Sequence, residues 1–241
     1  MSTLLSNPLW FATRACGTAA LVLLTASVVV GVGAAGRYAP NRLGRFEVAA
    51  VHRNLSVLAL AFLAVHILTA IADTYVPLGW ASALIPFASP YRTLWTGLGT
   101  FAVDLLLAVS LTSAVRLRLG LRRWKAVHFL AYAAWPLAVF HAAGTGTDTR
   151  LGFQLVLYVL CVGSVAAACW WRLYAAGPGR LGVRVTAALA VGVLPVLLYA
   201  FLAGGPLAAG WSHRADGPPP GARAPNTVAV TSIVRPDRSA S

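Results

Sequence analysis

Four histidines fall into two groups with nearly equal spacing. His52 and His66 stand 14 residues apart in VHRNLSVLALAFLAVH, and His128 and His141 stand 13 apart in VHFLAYAAWPLAVFH. Both segments are otherwise almost wholly apolar. A neutral imidazole binds metal ions and exchanges protons near neutral pH, and an ionisable side chain inside an apolar segment indicates a functional site by default. These histidines are therefore the first candidates for chemistry.

The elements that position these histidines are predicted from composition. Of the 241 residues, 59% are hydrophobic and 10% are charged, which is far from the usual soluble composition. About 20 apolar residues cross a bilayer core as an α-helix, the open structure that satisfies its own backbone in lipid. The sequence therefore predicts an all-α integral membrane protein, a six-transmembrane-helix bundle. The predicted spans are 10–36, 47–72, 94–115, 126–143, 152–175 and 183–204.

The distribution of charge predicts how the spans are oriented. The formal net charge is +13, but the cations do not cluster on a soluble domain, so we expect lipid contacts and no nucleic-acid partner. They concentrate in the first, third and fifth connections, which the positive-inside rule places in the cytoplasm. Both termini are then expected outside. The cations are Arg37, Arg42, Arg45, Arg53, Arg116, Arg118, Arg122, Arg123, Lys125, Arg172, Arg180 and Arg184.

The two ends of the chain are expected to lie outside the bundle. Residues 1–9 are predicted to form a short external N-terminus, and residues 10–210 the transmembrane domain. From 211 to 241 the chain becomes rich in Pro, Gly and Arg. Because such a composition buries no core, this tail is predicted to be disordered and external.

Spans two and four run in the same direction in this topology. His52 and His128, the inner pair, then lie near the cytoplasmic face, and His66 and His141, the outer pair, near the external face. A rise of 1.5 Å per residue separates the two levels by about 20–21 Å. Because two imidazoles on opposite sides of a macrocycle supply both axial ligands of a haem iron, the pattern suits two stacked haems. A zinc or copper site gathers its ligands at one point, and a proton relay usually adds acids, of which Asp104 is the only deep one.

Helical phase suits the second span better than the fourth. At about 100° per residue, 14 residues bring His66 to within about 40° of His52, whereas 13 residues leave His141 about 140° from His128. Pro136 lies between His128 and His141. A proline kink there is expected to re-aim the outer half of span four.

The arrangement of H-x13-H in one span and H-x12-H two spans later resembles the transmembrane domain of the ferric reductase and NADPH oxidase superfamily. The resemblance covers approximately residues 45–175. It implies two b-type haems between spans two and four, with His52 and His128 as iron ligands of the inner haem and His66 and His141 as those of the outer haem. Full-length members also carry a cytosolic FAD and NAD(P)H domain. Because this chain is expected to lack one, it is more similar to the stand-alone haem proteins of actinobacterial membranes.

Three cations are candidate contacts for haem propionates. Arg53 follows His52 and Lys125 precedes His128 by one helical turn, so both are expected near the inner haem. Arg92, in SPYRTLW, is expected near the outer haem. Anchoring at the membrane interface is the competing interpretation for all three.

The resulting hypothesis is a di-haem b-type cytochrome of the bacterial plasma membrane. It moves electrons from a cytoplasmic flavoprotein reductase or a quinol to an external acceptor. Ferric iron as the acceptor, and with it a role as an oxidoreductase component, is implied by the resemblance alone. Two alternatives stay open: a haem-bearing subunit that supplies a separate external reductase, as in the methionine sulfoxide reductase system, and a non-redox transporter or scaffold.

Overall fold

The computed structural model describes residues 8–35, 44–73, 78–175, 181–211 and 215. Regular structure within these residues is helical, which confirms the all-α class. The helices are α1 (Pro8–Ala35), α2 (Arg45–Ala72), α3 (Trp80–Leu84), α4 (Thr93–Ala114), α5 (Arg116–Leu119), α6 (Leu121–His128), α7 (Ala131–Thr145), α8 (Gly152–Ala175) and α9 (Leu181–Gly204), with a 3₁₀ turn at Thr147–Arg150. Most of the predicted terminal segments 1–9 and 211–241 lies outside the described residues, as do Arg37, Arg42 and Arg180.

The described part of the chain contains five segments that are long and apolar enough to cross a membrane. They are Pro8–Ala34, Phe46–Ala72, Thr93–Ala114, Leu121–Thr145 and Gly152–Ala175. Helix α9 occupies the predicted sixth span, but its described apolar stretch, Val191–Gly204, is shorter. Large apolar side chains such as Leu111 and Val159 are 67% and 66% exposed. Because such a surface suits lipid rather than water, the protein is a multi-pass membrane protein.

The packed core lies where α1, α7, α8 and α9 come together. Its buried members are Leu21, Val28, Val32, Trp135, Val139, Ala143, Tyr158, Cys161, Val162, Val165, Leu198 and Leu202. A buried hydrogen bond of 2.9 Å from Trp135 Nε1 to Thr25 Oγ1 ties α7 to α1. Away from this core, α2 packs against α1 and α4 packs against α7. These two helix pairs face each other across a cavity.

Span four is not a single regular helix. It is interrupted at Phe129 and Leu130, whose φ/ψ values of −64°/−19° and −62°/−21° are those of a 3₁₀ turn. Three backbone bonds of this turn join residues three apart, at 2.9–3.0 Å: Leu130 to Val127, Tyr132 to Phe129, and Ala133 to Leu130. Pro136 lies farther along, inside α7.

This interruption supplies part of the rotation that a straight helix would lack between His128 and His141. A 3₁₀ turn advances by about 120° per residue instead of 100°, so Phe129 and Leu130 together add roughly 40°. The sequence-based interpretation placed the re-aiming at Pro136, and the structure adds a tightened turn several residues before it.

Candidate functional site

The four histidines meet in two pairs across the cavity. The ring centres of His52 and His128 are 6.2 Å apart, with planes inclined by 71°. Those of His66 and His141 are 6.3 Å apart, with planes inclined by 80°. Helices α2, α6 and α7 therefore bring the inner pair together at one level and the outer pair at the other.

Backbone carbonyls fix the tautomer of three of these histidines. Nδ1 lies 2.9 Å from the Ser27 carbonyl in His52, 2.7 Å from the Thr13 carbonyl in His66 and 2.9 Å from the Trp95 carbonyl in His141. Because a carbonyl only accepts, Nδ1 must carry the proton and donate it. The free lone pair of each neutral ring is then on Nε2, which is the state in which imidazole binds a metal.

His128 has different surroundings. Its Nδ1 is buried and, in the part of the chain that the structure describes, has no hydrogen-bond partner. Its ring packs against that of Trp124 in a tilted arrangement, with ring centres 5.0 Å apart and planes inclined by 31°. The Trp124 indole in turn donates to Ser113 Oγ at 3.2 Å. The inner pair thus contains one histidine held by a carbonyl and one held by an aromatic ring.

A single cavity of about 1840 Å³ extends past both histidine pairs. Small and aliphatic residues of α1, α2 and α4, such as Ala20, Leu60 and Leu106, line its middle. Pockets for one small ligand usually measure about 300–1,000 Å³. The cavity therefore has room for two large flat groups, one at the level of each pair.

The three predicted cations all line this cavity, in different settings. Arg53 and Lys125 are exposed at its inner end. Arg92, by contrast, is only 3% exposed. Its Nη1 donates to the carbonyls of Gly144 and Thr145 at 3.0 and 3.2 Å. Because those carbonyls belong to the last turn of α7, where helical partners are missing, Arg92 caps this helix.

The outer end of the cavity also contains an ion pair. Arg14 Nε lies 2.9 Å from Asp148 Oδ2, and both residues line the cavity. The Arg14 guanidinium also lies over the ring of Trp10, 4.2 Å from its centre. This pair joins α1 to the 3₁₀ turn that follows α7.

The residues present fit a haem at each level. Two imidazole rings that each bound one metal ion through a nitrogen, at about 2.0–2.1 Å, would have ring centres about 6 Å apart. The observed separations are 6.2 and 6.3 Å. Within the described residues, by contrast, no group of three or more His, Cys, Asp or Glu side chains is arranged to hold a bare metal ion.

Sequence reasoning missed the groups that orient the histidines. These are main-chain carbonyls of α1 and α4, which leave no signature in residue types. The string GVGAAG at 31–36 has the G-x-G-x-x-G spacing of dinucleotide-binding loops, but Gly31 and Gly33 lie inside α1. Because such a loop joins a strand to a helix, these glycines need another explanation.

One comparison with known proteins found a match to a family of membrane proteins. A family model described as "Ferric reductase like transmembrane component" matches residues 16–139, just over half of the chain. No curated protein and no solved structure matches. The match begins within α1, earlier than the resemblance at 45–175, and ends two residues before His141. The match therefore includes His52, His66 and His128. It also includes most of α1, the helix whose carbonyls accept hydrogen bonds from His52 and His66.

Proposed function

The chain belongs to the family of ferric reductase like transmembrane components, and from that premise we propose that it is a di-haem membrane cytochrome. Membership supports a membrane electron-transfer role in general. The proposal adds two b-type haems, with the inner pair as axial ligands of one iron and the outer pair as those of the other. When bound, these groups supply one-electron transfer between the two levels.

The observation that carries the proposal is the equal geometry of two separate histidine pairs. Unrelated packing histidines have no reason to meet twice, at two depths, with ring centres 6.2 and 6.3 Å apart. Three of the four rings are also held with Nδ1 as donor. These three bonds orient the rings and leave Nε2 as the nitrogen that would bind the iron.

The remaining contributions of the chain are orientation, exclusion of water and charge. Apolar residues such as Leu60 and Leu106 line the middle of the cavity and keep water from the path between the two levels. Arg53 and Lys125, exposed at the inner end, are suited to pair with propionate carboxylates. Arg92 is buried at the outer end and already caps α7, so it adds positive potential there with little freedom to move.

The proposal extends to topology and partners. We place the protein in a bacterial plasma membrane with six spans, counting α9 as the sixth, and with both termini outside. This arrangement puts the basic third connection in the cytoplasm. The electron donor is then a cytoplasmic flavoprotein or a quinol, and the acceptor is external, either ferric iron or a partner reductase.

The deciding experiment is haem stoichiometry of the purified full-length protein. We expect two haems per chain and a reduced-minus-oxidised spectrum of low-spin haem b. His66→Ala should lower the content to about one haem, because it removes one ligand of a bis-histidine pair. The matched control is His213→Ala, because this fifth histidine follows the last predicted span in the sequence. If the purified wild-type protein contained no haem, the proposal would fail and the transporter or scaffold alternative would remain.

Donor and acceptor are tested with the protein in sealed vesicles. We expect a reduced quinol, or a reduced flavoprotein on the inner side, to reduce both haems. A ferric chelate confined to the outside should then reoxidise them. Reoxidation only by a chelate placed inside would contradict the outward direction. Reoxidation only after addition of an external reductase would identify the chain as a supplying subunit.

A further inference from the structure

Three of the paired histidine rings pack against glycines of neighbouring helices. A Cβ added at Gly17 would lie 2.8 Å from Nδ1 of His66, and one at Gly31 would lie 3.1 Å from Cε1 of His52. One added at Gly99 would be closest to Nδ1 of His141 and 2.6 Å from its Cε1. Gly17 and Gly31 stand 14 residues apart on α1, which is also the spacing of His52 and His66 on α2. The glycines on α1 are therefore in register with the histidines on the antiparallel helix α2.

In all three cases the accepting carbonyl lies four residues before the glycine. The combinations are Thr13 with Gly17, Ser27 with Gly31, and Trp95 with Gly99. Cβ atoms of an α-helix tilt toward its N-terminus, so a side chain covers the turn before its own position. Glycine leaves that turn bare and opens its carbonyl to a second donor. We call a carbonyl exposed in this way a carbonyl notch.

The fourth position of this pattern is closed. Ser113 follows Gly99 by 14 residues on α4, as Gly31 follows Gly17 on α1. The Ser113 hydroxyl donates to the Val109 carbonyl at 2.6 Å, which is the carbonyl four residues before it. Ser113 also accepts the indole N–H of Trp124, the residue that packs against His128. His128 is the paired histidine whose buried Nδ1 has no partner among the described residues.

We propose that Gly17, Gly31 and Gly99 are positioning residues that open carbonyl notches for His66, His52 and His141, and that Ser113 withholds the fourth notch from His128. This inference rests on the proposed haem ligation. A hydrogen bond from Nδ1 to a carbonyl makes Nε2 a stronger electron donor and stabilises the oxidised iron. The outer pair has two such bonds and the inner pair has one, so the chain sets the two haem potentials apart through its backbone.

The test is an EPR-monitored redox titration of the full-length haem-loaded protein, which follows the low-spin signal of each haem separately. Ser113→Gly opens the notch and lets Val109 accept from His128. We expect about a threefold to tenfold shift toward the oxidised form of one haem, about 28–59 mV lower in midpoint potential for one electron. Ser113→Ala is the matched control. It removes the same hydroxyl and the same Trp124 contact but keeps the Cβ, so the shift that Ser113→Gly shows beyond that of Ser113→Ala measures the opened notch alone.

Closing existing notches should give the opposite sign. Gly31→Ala disturbs His52 through a contact of 3.1 Å and should raise the potential of the same haem that Ser113→Gly lowers. Gly17→Ala should raise the potential of the other haem. Gly33→Ala, where an added Cβ meets nothing within 4 Å, should change neither.

These outcomes separate the inference from the proposed function. Wild-type protein without haem overturns the function before any variant is made. If the protein binds two haems but Ser113→Gly and Ser113→Ala shift the potentials equally, the notch assignment fails while the proposed function stands. The same holds if neither variant shifts a potential. The assignment also fails if Gly31→Ala and Ser113→Gly move different haems or move one haem in the same direction.

Discussion

Gly99→Ala is the substitution that should disturb the proposed outer haem site most directly. The new Cβ would be closest to Nδ1 of His141 and would lie 2.6 Å from its Cε1 and 2.7 Å from its Cγ. Contacts of this length are far inside the usual carbon–carbon separation of about 3.5–4.0 Å. The imidazole must therefore move by roughly 1 Å, which breaks its hydrogen bond of 2.9 Å to Trp95.

The expected cost follows from these two effects. Overpacking costs about 1–3 kcal/mol, and the lost hydrogen bond costs about 0.5–1.5 kcal/mol. Together they should weaken retention of the proposed outer haem by about 1.5–4.5 kcal/mol, which is roughly 10-fold to 2,000-fold. The inner pair lies at the other level and should keep its haem.

The assay is transfer of haem from the purified protein to excess apomyoglobin. Wild-type protein should release its two haems slowly, whereas Gly99→Ala should show one fast and one unchanged phase. Gly163→Ala is the control. Gly163 is also a helical glycine, but a Cβ added there meets nothing within 4 Å. Two unchanged phases in Gly99→Ala would refute the packing of His141 against Gly99.

Three further substitutions test contacts that hold the site. Arg92→Ala removes two charge-assisted bonds to the end of α7. It should lower the free energy of unfolding by about 1.5–3 kcal/mol and speed the loss of the outer haem. Unchanged stability would show that Arg92 does not stabilise α7 as a cap. Trp135→Phe leaves the buried Thr25 hydroxyl without its donor and should cost about 1–3 kcal/mol with both haems retained, as measured by denaturation in detergent. Asp148→Asn breaks the partly exposed pair with Arg14 and should cost less than about 1 kcal/mol; a larger loss would show that the pair is structurally central.

Much of the fold is predictable because a bilayer imposes local rules on sequence. A span must be apolar over about 20 residues, so composition alone locates it. The span predicted at 47–72 corresponds to α2, Arg45–Ala72, and that predicted at 152–175 coincides with Gly152–Ala175. The spacing of the four histidines likewise leads to their proposed pairing, because helical rise converts residue number into depth.

The turn in span four was not predictable in the same way. Phe129 and Leu130 include neither proline nor glycine, and a 3₁₀ turn differs from an α-helical one by only tens of degrees in ψ. The predicted change of direction was assigned to Pro136 because a proline is the one recognisable helix-breaking residue between the two histidines in the sequence. The structure adds a tightened turn at 129–130, also between the two histidines whose directions must agree.

By itself the sequence determined that the chain is a helical membrane protein with four histidines at two depths. Only the tertiary structure decided which groups hold them. The acceptors on Thr13, Ser27 and Trp95 are carbonyls, which every residue possesses, and they become specific only when a particular helix lies beside a particular histidine. Glycine spacing on α1 is visible in the sequence, but its meaning depends on the register with α2. Contacts between residues about 25 to 53 positions apart arise from packing, which residue types alone do not encode.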